Sequence, residues 1–354
     1  MTAPLTAPAH RVRPPTARRA VLLLLRSCSV RFTAYYWVGF AAGLAATGHL
    51  GPGLALLGVP MWLAYCVGTE SVNRIADRAA DEVNRPERTR LCEEFGWSRL
   101  TAVAVLSWTV FVLIGAALTW RHPGFALPAL LLVDIGVAIG YSIGPAFKRH
   151  RVLALLALTA PLITPLLTGW AVYGGYDTLL SPVLPAVSVL AAFSLGLSGI
   201  KDITDVEGDR RLGYSSLWLS VARIGRGAAV YAFIGAPFLL LALYAALHVL
   251  PLPALALLPL VAVSALVVTA ASRAVAPLDR EAAREVMHQY TFYFLALCLT
   301  ACAPTRAAAA AAAAGIAYWL VASKTLHWSG GLTLSHLRRW VRLFGPALTV
   351  KEHS

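Results

Sequence analysis

The chain has 354 residues, 58% hydrophobic and 13% charged, with a formal net charge of +13 and a mean hydropathy of +0.68. That composition excludes an ordinary soluble domain, and the continuously apolar runs exclude a membrane β-barrel, whose strands alternate. The basic excess lies in short segments between apolar runs, which is a membrane-topology signal, so no nucleic-acid partner is expected.

In chain order, residues 1–15 are rich in Pro, Ala and Thr and are expected to be disordered. Arginines 11, 13, 18 and 19 precede only VLLLL, too short for a signal-peptide core, so no cleavage is expected. Residues 1–30 therefore read as a basic N-terminal segment, partly disordered. Apolar runs near the ~20 residues a helix needs to cross a bilayer then recur. They fall at 33–49, 53–72, 100–120, 125–144, 152–173, 180–199, 227–247, 250–272 and 286–304, with a tenth candidate at 307–323. The fold class is all-α, a polytopic transmembrane helical bundle of nine or ten spans occupying 31–325. Residues 326–354 form a basic tail, in which Leu337, Trp340, Val341, Leu343 and Phe344 set against Arg338, Arg339 and Arg342 suit an interfacial amphipathic helix.

Of the 30 Lys and Arg residues, 28 fall on one side of these spans, and only Arg121 and Arg306 on the other. The expected placement is a multi-pass cell-membrane protein, surrounded by lipid, with its N-terminus in the cytoplasm. The cysteines (28, 66, 92, 298, 302) show no metal-site spacing and read as packing residues. His150, His248, His288 and His327 form no ligand set and read as structural or interfacial.

Seven of the 17 acidic residues lie between Glu70 and Glu94. Asn73, Asp77 and Asp81 are four apart, which places them on one helical face. Two carboxylates about 6 Å apart repel by roughly 3 kcal/mol at an effective dielectric near 20. A divalent cation would relieve that, and oxygen-only ligands suit Mg²⁺. The bland alternative is a solvated helix with Arg74, Arg78 and Glu82 as i,i+4 partners. Four more acids sit in GIKDITDVEGDRRLGYSSL, with Asp202, Asp205 and Asp209 again spaced for one face and on the same side of the membrane. Two acidic faces flanked by Arg85, Arg88, Lys201, Arg210 and Arg211 can hold metal ions and a diphosphate between them, which solvated loops would not be expected to duplicate.

Asp134 lies in the middle of an apolar run, where a charge costs about 3 kcal/mol on insertion scales. It is expected either to be a hydrogen-bonded structural residue or to face the cavity and orient an acceptor or take its proton. Gly136, Gly140 and Gly144 follow as a small-residue stripe suited to close helix approach.

Asn73-x3-Asp77-x3-Asp81 followed by Asn84-Arg85-Pro86, together with Lys201-Asp202-x2-Asp205-x2-Gly208-Asp209, resemble the two signature motifs of the UbiA-type membrane prenyltransferases. Tyr141-Ser142-x2-Pro145-x2-Lys148-Arg149 is similar to the family's Tyr-Ser-Pro-Pro segment before a basic loop. The resemblance runs from about residue 30 to 300. It implies a bundle with a central cavity open to lipid, a prenyl diphosphate substrate and a lipid-soluble or aromatic acceptor. It also implies Mg²⁺ held by Asn73, Asp77 and Asp81 on one side and Asp202, Asp205 and Asp209 on the other. Arg88, Lys148, Lys201 and Arg210 become expected diphosphate contacts, and Tyr141 part of the site wall. Arg74 stands where many members have Asp, Gly144 replaces the first proline of the pair, and Phe147 stands where Arg is common.

The implied reaction ionises an allylic C–O bond, excludes water from the cation and traps it with the acceptor. Aromatic faces can stabilise the cation; the candidates are Tyr35, Tyr36, Trp37, Trp62, Tyr65, Tyr141, Tyr290, Phe292 and Tyr293. A terpene cyclase on the same scaffold would share the metal motifs and lack an acceptor. A transporter is disfavoured, because the acids cluster at span ends rather than at the midplane.

Overall fold

The computed structural model describes residues 15–174, 183–211 and 228–345, and among them every regular element is a helix. The first helices are α1 (Ala17–Ser27), α2 (Thr33–Ala46), α3 (Pro52–Ala76), α4 (Arg78–Asn84) and α5 (Pro86–Phe95). Next come α6 (Trp97–Arg121), α7 (Ala126–Gly140), α8 (Arg151–Ala171), α9 (Leu184–Leu197) and α10 (Val206–Arg211). The chain closes with α11 (Ala228–Ala246), α12 (Leu260–Arg273), α13 (Pro277–Cys302), α14 (Arg306–Thr325) and α15 (Leu334–Arg342). Each of the ten apolar runs carries a helix. Six helical segments are long and apolar enough to cross a membrane, and α7 and the Phe233–Ala246 part of α11 are shorter apolar helices.

Helix α2 is the centre of the bundle, packed against α3, α8, α13 and α14. Its small residues make that possible. A Cβ on Gly43 would lie 2.1 Å from the Leu166 carbonyl oxygen, and one on Gly169 of α8 would lie 2.0 Å from the Phe40 carbonyl oxygen. The α2 and α8 backbones therefore touch, as small residues allow in apolar surroundings. The stripe expected to do this elsewhere does not: Gly136 has nothing within 4 Å, Gly140 faces the Phe147 ring, and Gly144 is a loop residue at φ +67.

Helix α14, read from the alanine run, is integral to the bundle. It buries Ala308, Ala311, Ala312, Gly315, Trp319 and Ala322, a stripe of helical period. Trp319 stacks on Phe292 at 4.7 Å and donates to Gln289 Oε1 at 2.7 Å. Beneath it, Arg31 binds Glu285 of α13 through both carboxylate oxygens, at 2.5 and 2.9 Å. Each partner is 1% exposed, so this pair ties the start of α2 to α13. The tail helix α15 packs on α13 and joins it through Arg339–Asp279 at 3.6 Å. Trp340 and Leu343 pack against the main core, while Leu334, Leu337 and Val341 stay exposed.

Gly169→Ala is expected to force the α2 and α8 backbones apart and cost about 1–3 kcal/mol or more. Thermal unfolding of the purified protein in detergent would show a clearly lowered midpoint for Gly169→Ala and little change for Gly136→Ala.

Candidate active site

The first acidic segment runs through a bend. Helix α3 ends at Ala76, and Asp77 (φ −99, ψ 10) turns the chain into α4. The amides of Asp77 and Asp81 still donate to the carbonyls of Asn73 and Asp77, at 2.9 and 2.8 Å, so the four-residue spacing survives the bend. Each polar group on it has a partner. Asn73 Oδ1 accepts from Ser142 Oγ at 2.8 Å, and Asp77 pairs with Lys148. Asp81 pairs with Arg88 and, at 3.4 Å, with Arg74, which also holds Glu70.

Lys148 reaches Asp77 because the loop after α7 closes on itself. The Lys148 amide donates to the Tyr141 carbonyl at 3.2 Å, and Gly144 and Ala146 take left-handed conformations (φ +67 and 46) to make the turn. Phe147 folds its ring back onto Gly140, where a Cβ would come within 2.8 Å of it.

The second acidic segment differs from the expected single helical face. Residues Ser198–Thr204 wind as a 3-10 helix, Asp205 caps it, and α10 begins at Val206. In a 3-10 turn residues three apart stack over one another, which brings Asp202 and Asp205 together. Asp209 and Arg210 lie on α10, but their side chains fall outside the described residues. Proline 86 explains how the two segments meet. It disfavours helical backbone at Arg85, which takes φ −146 and ψ 58 and leaves the helix path. Arg85 then donates to both oxygens of Asp205, each at 2.6 Å, and Asn84 Nδ2 donates to the Asp205 carbonyl at 3.1 Å.

Burial pushes the Asp81 carboxyl up, but Arg88, Arg74 and Arg85 outweigh it and hold it below its ordinary value. Asp205 is likewise raised by burial and lowered, on balance, by Arg85, Arg284 and Arg88. The Arg88 guanidinium is pushed down by burial and then by Arg74 and Arg85, with Asp81 opposing. Buried cations are thus crowded at this end of the bundle, the condition for binding an anion.

A cavity opens beside these groups. Its polar part is lined by Tyr65, Thr69, Asn73, Tyr141 and Ser142, and its apolar part, about 150 Å³, by Phe32, Tyr35, Phe193, Met287 and His288. Tyr36, Glu70, Pro161 and Lys201 line both parts. Lys201 stands at the junction, its Nζ 4.8 Å from the Tyr141 ring centroid, with no hydrogen bond or ion pair among the described residues.

The structure therefore gathers Asn73, Asp77, Asp81, Arg88, Tyr141, Lys148, Lys201, Asp202 and Asp205 at one end of the bundle. It does not bring Asp134 to them. That side chain is 1% exposed and its two carboxylate oxygens accept from Thr164 and, at 3.3 Å, Thr168 of α8. Of the aromatic candidates, Tyr35, Tyr36, Tyr65 and Tyr141 line the cavity. Trp62 and Phe292 are buried in packing, and Tyr290 donates to the Leu260 carbonyl at 2.8 Å. Sequence reasoning missed Glu70, Ser142, Arg284 and His288. His288, which the sequence marks only as structural or interfacial, lines the apolar cavity with Nδ1 placed 3.1 Å from Arg31. Only Glu70, one helical turn before Arg74, carried a signal in its spacing.

Among the described residues no three Asp, Glu, His or Cys side chains converge as a ready metal centre. The donor chemistry nonetheless fits a hard divalent cation. It is oxygen only, it comes from both segments, and the Asp202 carboxylate has no hydrogen bond or ion pair among the described residues.

Comparison with known proteins bears on the family and the fold. The family model described as "UbiA prenyltransferase family" matches residues 33–297. Homogentisate phytyltransferase 1 of Arabidopsis thaliana is 27% identical over 248 residues, covering 64% of this chain and 60% of the relative. The 2-acylphloroglucinol 4-prenyltransferase of Humulus lupulus is 26% identical over 171 residues, covering 45% of this chain and 39% of the relative. The chain thus spans less than two thirds of the length of these relatives. A digeranylgeranylglyceryl phosphate synthase structure superposes with a TM-score of 0.58 at 13% identity, covering 81% of this chain and 100% of that one. A UbiA homologue from Archaeoglobus fulgidus, bound to GPP and Mg²⁺, gives 0.54 at 16% identity, covering 79% and 99%. At such identities the structures establish a shared fold.

Because the folded pKa values of Asp81 and Asp205 are depressed, their stabilisation is complete above the unfolded value near 3.9 and is lost as pH falls through the lower folded values. Thermal midpoints of the wild type should show no loss from these pairs between pH 7 and 5, and a decline from them below about 4. Asp81→Asn leaves Arg88 buried without its carboxylate, while Arg74 keeps Glu70, an expected loss of about 3–5 kcal/mol at neutral pH, with a shallower acid decline. Asp134→Asn should cost about 1–3 kcal/mol of stability, read as a lowered thermal midpoint, while leaving turnover unchanged. Reduced turnover at unaltered stability would instead assign Asp134 the acceptor role considered from the sequence.

Proposed function

Since the chain belongs to the UbiA prenyltransferase family, we propose that it transfers a prenyl group from an allylic prenyl diphosphate to an aromatic or quinone-precursor acceptor, releasing diphosphate. The observation that carries this is the joining of two acid-bearing segments, through Arg85 and Asn84 on Asp205, beside a cavity whose neck holds Lys201. The A. fulgidus homologue binds GPP and Mg²⁺, and two relatives are named for the aromatic acceptors homogentisate and 2-acylphloroglucinol. Both support the substrate classes.

Asn73, Asp77, Asp81, Asp202 and Asp205 would hold the Mg²⁺, and the sequence adds Asp209. Bound there, the metal would supply positive charge against the diphosphate oxygens as the allylic C–O bond breaks. The chain's own cations do the rest of that work. Lys148, Arg85 and Arg88, which neutralise the carboxylates in this structure, are placed to turn to the diphosphate, and Lys201 faces the cavity already. Charge-assisted hydrogen bonds of this kind strengthen as the leaving group gains charge, which lowers the barrier.

The cavity walls decide the fate of the cation. Tyr36, Tyr65 and Tyr141 turn aromatic surface toward the space next to the acids, and Phe32, Tyr35 and Phe193 line its apolar continuation. Such walls exclude water and favour a cation over their faces. The prenyl chain lies in the apolar part and the acceptor ring meets C1 at the neck. The basic side of the bundle, which includes the site, faces the cytoplasm.

The test uses membranes containing the protein, Mg²⁺ and allylic diphosphates of several lengths, with and without phenolic acceptors. Diphosphate release should require both metal and acceptor and fall at least 100-fold in Asp77→Asn, in line with the loss of electrostatic transition-state stabilisation. Metal-dependent release of a cyclised hydrocarbon or alcohol without any acceptor would identify a cyclase instead. Release unaffected by Asp77→Asn would refute the site.

A further inference from the structure

The chain beyond the family-matched residues 33–297 returns to the site. After α14, the segment leading to α15 places Trp328 beside two guanidinium groups, Arg88 at 6.0 Å and Arg284 at 5.5 Å from the ring centroid. Both arginines are deeply buried, at 2% and 4% exposure. Their charge environments differ. Arg88 reaches Asp81, whereas Arg284 has no carboxylate within ion-pair distance among the described residues. It donates from Nη1 to Thr204 Oγ1 at 3.3 Å, and its Nε is buried without a partner among the described residues. Arg85 approaches the same hydroxyl at 3.5 Å while it binds Asp205.

Arg85 and Arg284 therefore share the Thr204 hydroxyl, and Arg88 and Arg284 share the Trp328 ring, while Asp205 serves Arg85 and Asp81 serves both Arg88 and Arg74. Burying a cation without a counter-ion is costly, and a hydroxyl with an aromatic face recovers only part of the cost. Packing does not demand an arginine at position 284, since an apolar side chain of similar volume would serve without the charge. The surplus is balanced when an anion enters.

We infer that Arg284 is a ligand of the diphosphate and that Trp328 is its positioning residue, holding the Arg284 and Arg88 guanidinium groups at the mouth of the site. This rests on the prenyl diphosphate reading above. The bound form gains one more charge-assisted hydrogen bond to a phosphate oxygen, supplied from α13, an element that carries none of the acidic motifs. The tail thereby becomes part of substrate binding.

The experiment is calorimetric titration of the purified full-length protein in detergent with inorganic diphosphate in the presence of Mg²⁺, followed by steady-state kinetics with a prenyl diphosphate. Arg284→Gln should weaken diphosphate binding roughly tenfold or more, the loss of one charge-assisted hydrogen bond. Its thermal midpoint should hold or rise, which an arginine kept for packing would not show. Trp328→Ala should raise the diphosphate Kd and the prenyl diphosphate KM roughly threefold to tenfold with a smaller change in kcat, and Trp328→Phe, which keeps an aromatic face, should restore most of both. If Arg284→Gln does not fold, Arg284→Lys and the two Trp328 variants decide the matter on the same readouts. Arg284→Gln binding diphosphate as tightly as wild type, or Trp328→Phe as impaired as Trp328→Ala, overturns the inference and leaves the functional reading intact. A wild type that does not bind diphosphate overturns both.

Discussion

Asp205 accepts two hydrogen bonds from Arg85 across a sequence separation of 120 residues, and that pair closes the two halves of the bundle over one site. The constraint behind it is general. A carboxylate at the end of an apolar bundle must be paired as it is buried, or the charge is lost. Each departure from regular helix at this end serves that need. The bend at Asp77 meets Lys148, the break before Pro86 frees Arg85, and the 3-10 turn at Ser198–Thr204 presents Asp205 to it. Each of these pairs uses a cation that, on the function proposed above, a diphosphate could recruit. Binding would then be an exchange of partners rather than the insertion of a charge into a vacant space.

The apolar runs were legible because membrane spans are recognised by length and continuity, and neither depends on knowing which side packs where. The acidic spacing was legible for a similar reason, since i,i+4 geometry is local and survives even the bend at Asp77. What could not be read was direction. Asp134 sits in a run that is apolar all round, and nothing local says which neighbour it faces. The answer lies in Thr164 and Thr168 of α8, themselves unremarkable in sequence. The glycines misled for the same reason. Gly136, Gly140 and Gly144 had the regular spacing, but the backbone contact was built from Gly43 and Gly169, which have no shared pattern because they belong to different helices.

The alanine-rich α14 shows how little local signal an integral element needs. Alanines let it lie close to α2, and Trp319 then reaches Gln289, which itself donates to Glu285 at 3.1 Å. That chain of contacts supports the Arg31–Glu285 pair, and Arg31 in turn stands 3.1 Å from His288 in the cavity wall. A guanidinium can only donate, so His288 Nδ1 is the acceptor and its remaining hydrogen sits on Nε2. The wall of the apolar cavity is thus fixed in position and tautomer by an ion pair and a helix that lie outside both acidic motifs.

The three residues that differ from the family's usual pattern acquire a common explanation at this end of the bundle. Arg74, standing where many members carry Asp, is held between Glu70 and Asp81. It replaces a negative charge with a positive one beside two acids, so the local charge is more positive and both acids are paired. Gly144 adopts φ +67, which proline, locked near −65, cannot reach. Phe147 in turn needs the missing side chain of Gly140 to lay its ring against α7. The last two belong to one solution, since the left-handed turn at Gly144 and the ring anchored on Gly140 together deliver Lys148 to Asp77. The loop has exchanged one cation for an apolar anchor and kept the lysine, a change in how the site is held with no loss of the groups that would bind a diphosphate.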